Sequence, residues 1–166
     1  MGIEIERKFL VAGTGWREKA TAVPCRQGYL CPGGGVTVRV RIMGEKGFLT
    51  VKGRGTGLSR REYEYPIPVA DAQEMLAELC GKPLIVKDRY RVVHDGLLWE
   101  VDVFTGDNSG LILAEVELTS PDQAVALPPW VGREVSGDPR YYNASLAANP
   151  YKNWRKPEET GAAERG

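Results

Sequence analysis

The sequence is short of the residues on which many catalytic centres are built. It has a single histidine, His94, and three cysteines, Cys25, Cys31 and Cys80. The cysteines form no CxxC pair and have no histidine at metal-ligand spacing, so neither a zinc site nor a disulfide framework is indicated. They read as reduced thiols. Net charge is absent too, with 22 basic residues against 22 acidic ones. A basic excess of the kind that marks a simple nucleic-acid-binding domain is missing, and no nucleic-acid partner is expected. No apolar run approaches the roughly 18 residues of a spanning helix, and charge begins at Glu4, before any leader-type apolar segment. The expectation is a cytoplasmic protein without a membrane partner. Gly33, Gly34 and Gly35 follow Pro32, but no Lys-Ser/Thr pair and no helical period comes after them. They mark a turn, and a P-loop is excluded.

What the chain has in quantity is alternation. Its 166 residues, 42% of them hydrophobic, suit one domain with a packed core, spanning 1–156, with a disordered tail over 157–166. Period-two patterns place strands at 2–11, 25–30, 36–42, 48–54, 60–67, 84–92, 97–104 and 111–118. Glycine-rich turns join several of them. One clear helix is predicted over 71–80, with Asp71 as N-cap, Glu74 at the capping-box position, Met75, Leu76, Leu79 and Cys80 on its apolar face, and Gly81 as its stop. Residues 122–127 also read as helical, 131–135 as extended, and a final helix is expected near 141–148. Strand and helix do not alternate as in βαβ units, so the sheet is antiparallel and forms a barrel or a sandwich. His94 and the four tryptophans read as surface and packing residues, respectively.

One face of nearly every strand is ionised. Those faces carry eight acids, Glu4, Glu6, Glu62, Glu64, Glu100, Asp102, Glu115 and Glu117, and eight bases, Lys8, Arg39, Arg41, Lys52, Arg54, Lys87, Arg89 and Arg91. A half-wet sheet explains any one such strand. Across the set the charges are sorted by strand: 36–42, 48–54 and 84–92 are basic, 60–67, 97–104 and 111–118 are acidic, and 2–11 carries both signs. An alternative is a closed barrel with the charged faces inside. Sixteen charges cannot sit there dry. Arg and Lys rows suit an anion rich in phosphate oxygens. Carboxylate rows suit a divalent cation such as Mg²⁺ or Mn²⁺.

The ordered set Glu4-x-Glu6-x-Lys8, Arg39-x-Arg41, Lys52, Glu62-x-Glu64, Lys87-x-Arg89, Glu100-x-Asp102 and Glu115-x-Glu117 resembles the CYTH domain, or triphosphate tunnel metalloenzyme, family over about residues 1–150. The run 134–141 is similar to the small bacterial members. The resemblance implies an all-β-dominated α+β fold: a closed eight-stranded antiparallel β-barrel forming a tunnel, with helices packed outside. It also implies a metal site of Glu4, Glu6, Glu115 and Glu117, with Glu62, Glu64, Glu100 and Asp102 as supporting or second-metal candidates. Lys8, Arg39, Arg41, Lys52, Lys87 and Arg89 would bind phosphates, and Lys8 with Tyr29 would form a catalytic pair. Family members include inorganic triphosphatases, thiamine triphosphatases, class IV adenylate cyclases and RNA triphosphatases. The leading expectation is hydrolysis of inorganic triphosphate to phosphate and pyrophosphate, with in-line attack by metal-activated water. A cyclase, a thiamine or nucleoside triphosphatase, and a non-catalytic polyphosphate sensor are the alternatives. A homodimer is a further possibility, since apolar strand faces need cover.

Overall fold

The computed structural model describes residues 2–30 and 35–154. Cys31, the first part of the turn read at 32–35, and the tail read at 157–166 lie outside the described residues. The elements are β1 (Ile3–Val11), β2 (Val23–Leu30), β3 (Thr37–Met43), β4 (Lys46–Thr56), β5 (Ser59–Ile67), α1 (Val69–Glu78), β6 (Ile85–His94), β7 (Leu97–Phe104), β8 (Ile112–Glu117), β9 (Val131–Glu134) and α2 (Asn143–Ala148).

Eight strands close into a barrel. The order is β5-β4-β3-β2-β6-β7-β8-β1, and β1 pairs back to β5. All of these pairings are antiparallel. β1 makes closure possible by dividing one edge: Ile3–Ile5 pair with β5, while Phe9 and Val11 pair with the extra strand β9. One of three two-residue turns is Asp95-Gly96 between β6 and β7, with φ of 51° and 79°. Both values lie in the left-handed region that a two-residue hairpin of this hand needs, and an Asp-Gly pair supplies them cheaply.

The apolar faces point outward, so much of the core lies outside the barrel wall. Phe9, Trp99, Val101, Ala114 and Val116 on β1, β7 and β8 pack under Trp16 and Trp130, which come from the long connections flanking β1 and β8. Trp99 and Trp130 meet edge to face at 5.8 Å. Burying an aromatic or large aliphatic side chain in this way is worth about 1.5–3 kcal/mol. α1 covers β3 and β4 through Ala72 and Leu76 against Val40, Ile42 and Leu49, with Cys80 just past its end in the same cluster. It lies close because β4 offers Gly47, where a Cβ would come within 3.0 Å of the Ala72 Cβ. A third cluster, including Tyr29, Ile85, Phe104, Leu113, Tyr141 and Leu146, fills one end of the barrel. Thus α1 packs outside the wall as expected, while α2 sits at that filled end. On β5, Tyr63 and Tyr65 remain exposed.

Three local expectations are corrected. α1 starts at Val69, after Pro68, and no side chain caps it. Pro68 has φ −57° and fixes the entry two residues early, which leaves Asp71 in the first turn facing the positive end of the helix dipole. Leu79 is 65% exposed, because the helix has already ended there. Residues 122–127 form no helix. Pro121 and Pro128 leave too few residues for a stable nucleus, and the Gln123 side chain instead accepts from the Thr119 backbone N–H at 2.6 Å.

Candidate active site

The inward faces of the barrel enclose a cavity of ≈ 1010 Å³. Every candidate site residue read from the sequence lines it except Asp102. Asp102 is 2% exposed and lies beneath the lining, paired to Lys87 and Arg89.

Strand order converts the sorting of charge along the sequence into two walls. β4, β3, β2 and β6 are contiguous and form a basic wall. β7, β8, β1 and β5 are contiguous and carry most of the acids. A depth gradient crosses both walls. Along β6, Lys87 and Arg89 are 2% and 5% exposed, while the Arg91 side chain is 47% exposed. Antiparallel register puts Lys8, Glu115 and Asp102 toward the filled end, and Glu4, Glu117 and Arg91 toward the open one.

At the seams between the walls, acids and bases pair. Arg89 donates to Asp102 through two nitrogens, both at 2.8 Å, and its Nη1 lies 3.0 Å from Glu100. Lys87 lies 2.8 Å from Asp102. Burial pushes the Asp102 carboxyl up, but the Arg89 and Lys87 charges outweigh it and hold the group well below its usual range. At the other seam, Glu64 accepts from Thr50 at 2.8 Å and from Arg39 and Arg41 at 3.4 Å. Lys52 reaches Glu4 at 3.0 Å and Glu62 at 3.7 Å. Lys8 lies 3.3 Å from Glu115 and donates to the Tyr141 carbonyl at 3.2 Å. Burial also pushes Glu115 up, and Lys8 and Arg89 overcome it to bring the group down to about 2.

The centres of the walls are different. Glu6 faces Glu117 across β1–β8, and neither makes an ion pair among the described residues. Burial first, then Glu115 and Glu4, pushes Glu6 up to about 8. Glu117 is raised by burial and by Glu4, Glu62 and Glu100. In the basic wall, burial first, then Arg39 and Arg89, brings Arg41 down to about 10. The buried Nε atoms of Arg39, Arg41 and Arg60 have no hydrogen-bond partner. They are donors without an acceptor, on residues that line the cavity.

Lys8 and Tyr29 both line the cavity, but no hydrogen bond joins them. Tyr29 accepts from Gln27 at 2.9 Å, and burial raises its phenol. Burial lowers Lys8, but Glu115 and Glu6 outweigh it and the ammonium stays charged. Three participants escaped the sequence reading. Asn143, at the start of α2, accepts from Lys87 at 2.9 Å and from Gln27 at 3.3 Å. Thr50 bridges Arg39 and Glu64. Arg60 lines the cavity. Thr50 and Arg60 each precede a recognised site residue by two positions on the same strand face, so the period itself pointed to them. Asn143 carried no such signal.

A divalent cation fits the donor chemistry. The acidic wall offers carboxylate oxygens, and Glu6, raised first by burial and then by Glu115 and Glu4, is a group whose ionised form a dication would favour. Among the described residues no three acids are already gathered as a preformed metal cage. Several are held by lysines and arginines, and would have to exchange those partners.

The CYTH domain family model matches residues 2–149. An inorganic triphosphatase of Acetivibrio thermocellus is 51% identical over 156 residues, covering 94% of this chain and 100% of that protein. An inorganic triphosphatase of Nitrosomonas europaea is 48% identical over 148 residues, with coverage of 87% and 96%. A solved structure of an inorganic triphosphatase, 42% identical, aligns with a TM-score of 0.62 over 86% of this chain and 96% of that one. The family implies a divalent metal cofactor. On sequence and fold alike, this chain belongs to the CYTH domain family.

Proposed function

We infer that the tunnel hydrolyses inorganic triphosphate to phosphate and pyrophosphate. The observation that carries this is a pair of wall centres only partly compensated: Arg39 and Arg41 share the single carboxylate of Glu64, and Glu6 and Glu117 make no ion pair among the described residues. Arg39 and Arg41 present orphaned donors on one side, and Glu6 with Glu117 presents unpaired acid on the other. A ligand that satisfies both is a polyanion accompanied by a divalent cation. The two curated relatives at about half identity, both inorganic triphosphatases, support the same reading.

In this proposal Lys8, Arg39, Arg41, Lys52, Lys87 and Arg89 hold the phosphate oxygens. Arginines offer forked donors, and lysines act as point charges. Phosphoryl transfer asks for position and charge neutralisation more than for covalent chemistry, and the tunnel is built for that. Glu4, Glu6, Glu115 and Glu117 would hold Mg²⁺ or Mn²⁺, with Glu62, Glu64 and Glu100 close by. Asp102 acts from beneath by fixing Lys87 and Arg89. The cation, when bound, supplies charge neutralisation and acidifies water. Neither Lys8 nor Tyr29 is poised as a base at neutral pH, since both hold their protons more firmly than usual. Both are donors. Because Gln27 donates to the Tyr29 oxygen, the phenol proton is available to an oxygen in the tunnel, where it orients the reacting end. The free thiols of Cys25 and Cys80 support a cytoplasmic location. No described helix is long and apolar enough to cross a membrane.

The test is phosphate release from inorganic triphosphate, ATP, thiamine triphosphate and pyrophosphate, each with Mg²⁺ or Mn²⁺ and each with chelator. Turnover of inorganic triphosphate well above the others, abolished by chelator and in Lys8→Ala, is the expected result. Cyclic AMP formed from ATP would move the assignment to a cyclase. Tight triphosphate binding without turnover would leave a sensor.

A further inference from the structure

A chain of hydrogen bonds crosses the filled end of the barrel, and it has a direction. Lys87 Nζ lies 2.9 Å from Asn143 Oδ1. That oxygen lies 3.3 Å from Gln27 Nε2, and the same nitrogen lies 2.9 Å from the Tyr29 hydroxyl. The direction follows from the chemistry at one end. An ammonium donates and never accepts. Burial lowers Lys87, but the Asp102 carboxylate 2.8 Å away opposes this and favours the charged form. The Asn143 atom facing Lys87 is therefore its carbonyl oxygen, and the Gln27 atom facing that oxygen is therefore its amide nitrogen. An amide nitrogen only donates, so the Tyr29 oxygen accepts and the phenol proton turns elsewhere. The Gln27 carbonyl faces away from Tyr29 and takes the Cys25 thiol at 3.5 Å.

The fold leaves each amide one arrangement. Register on β2 and β6 sets Cys25 opposite Lys87 and Gln27 opposite Ile85, so Gln27 and Lys87 are diagonal neighbours, and Asn143 at the start of α2 bridges them. Gln27 is fully buried, and Lys87 and Tyr29 nearly so. Turning the Gln27 amide over would set carbonyl against carbonyl at Asn143 and strand a buried donor, which lowers the population of that arrangement about tenfold or more. Turning Asn143 over would set its NH₂ against the ammonium. Among the described residues no acceptor takes the Tyr29 proton, and Tyr29 lines the tunnel beside Asn143 and Lys87.

Building on the triphosphatase reading, we propose that Asn143 and Gln27 are positioning residues that hold the Tyr29 phenol with its proton toward the tunnel, and that Lys87 sets this polarity through them. Lys87 thus has a second task besides meeting phosphate: its charge orients two neutral amides, and the amides orient a hydroxyl. An Asn143 that only fastens α2 to the barrel would not decide whether the Tyr29 oxygen accepts or donates. A Gln27 that only fills space would be replaceable by an apolar side chain of its own length.

Isotope-edited infrared spectra of the tyrosine C–O stretch, in chelator and without triphosphate, test this, because the band differs between a phenol that accepts and one that donates. Subtracting the Tyr29→Phe spectrum isolates Tyr29 from the other tyrosines among the seven. Wild type is expected to show Tyr29 as an acceptor. Gln27→Met, which removes the donor without adding charge, should abolish that signature. Asn143→Leu should shift the band toward the donor position, and Asn143→Asp, which keeps oxygen against both Lys87 and Gln27, should retain the wild-type band. In triphosphate turnover with Mg²⁺, Gln27→Met should lower kcat about tenfold and should cost little more once Tyr29→Phe is present. A Tyr29 band unmoved by Gln27→Met and Asn143→Leu overturns the proposal and leaves the triphosphatase reading intact. So does a Gln27→Met loss in kcat as large with Tyr29→Phe as without it. A wild-type protein that does not hydrolyse triphosphate overturns that reading, and the infrared comparison still decides the polarity. If Gln27→Met does not fold, Asn143→Leu against Asn143→Asp carries the comparison.

Discussion

The seams of the barrel and the centres of its two walls are both built from charged side chains, yet they bear opposite loads. At the β6–β7 seam a basic strand lies beside an acidic one, and Arg89, Lys87 and Asp102 neutralise one another at 2.8 Å. The β4–β5 seam pairs Lys52 with Glu62 at 3.7 Å. At the centre of the acidic wall, strands of like sign adjoin, and Glu6 looks across at Glu117. Arg39 and Arg41 crowd one another in the basic wall. The difference separates two roles. Seams contribute to holding the barrel together, and wall centres are left dependent on what enters it.

Four substitutions or conditions break or sharpen that division. The largest effect is expected at a wall centre. Glu6→Gln or Arg41→Gln should lower triphosphate turnover by more than about 100-fold, the scale of losing a metal-site or transition-state contact. In chelator, however, Glu6→Gln should raise the melting temperature near pH 8, because it removes a buried charge that has no partner. Next comes the seam. Asp102→Asn leaves Arg89 and Lys87 buried without their carboxylate and should cost about 3–5 kcal/mol of stability in denaturant unfolding. Equal destabilisation by Glu6→Gln would erase the distinction between seam and centre.

The third effect is a pH dependence with a sign. In the folded, metal-free protein Glu6 holds its proton up to about 8, against an ordinary value of 4.5. Between those limits the folded state binds a proton that the unfolded chain has released, so stability falls as pH rises through this window. Glu117 is shifted in the same direction and adds to it. Asp102 and Glu115 are shifted the other way and withdraw stability only as pH falls below the ordinary carboxylate range. Melting curves in chelator should therefore decline from pH 5 to pH 8 by a few degrees, and Glu6→Gln should flatten the decline. The smallest effect belongs to the outer face. Arg7 and Glu134 pair through two bonds of 2.9 and 2.7 Å, but both side chains are partly in solvent. Glu134→Gln should cost no more than about 1 kcal/mol and leave turnover untouched.

Much of this arrangement was legible in the residues because strands have a period of two. Glu4, Glu6 and Lys8, or Lys87 and Arg89, share a face by arithmetic alone. The sorting of sign by strand became two contiguous walls once strand order was known. Arg7 is a charge on the otherwise apolar face of β1, and its partner Glu134 lies on β9, 127 positions away. No local pattern announces a pairing at that distance. Asn143 was hidden for the same reason, since it meets Lys87 only because α2 closes the filled end. Arg60 was masked differently. The face it shares with Glu62 and Glu64 reads as acidic, with Arg60 its one base. At the start of α1, Asp71 is a good cap by type, but Pro68 fixes the entry into the helix two residues earlier.

The measurement closest to the central claim is a calorimetric titration of triphosphate, with and without Mg²⁺, into wild type, Glu6→Gln and Arg41→Gln. If the walls divide the work, Arg41→Gln weakens triphosphate whether or not Mg²⁺ is present. Glu6→Gln retains metal-free binding and loses the enhancement by Mg²⁺. A Glu6→Gln protein whose response to Mg²⁺ matches wild type would contradict the account, because the acidic centre would then have no part in holding the cation.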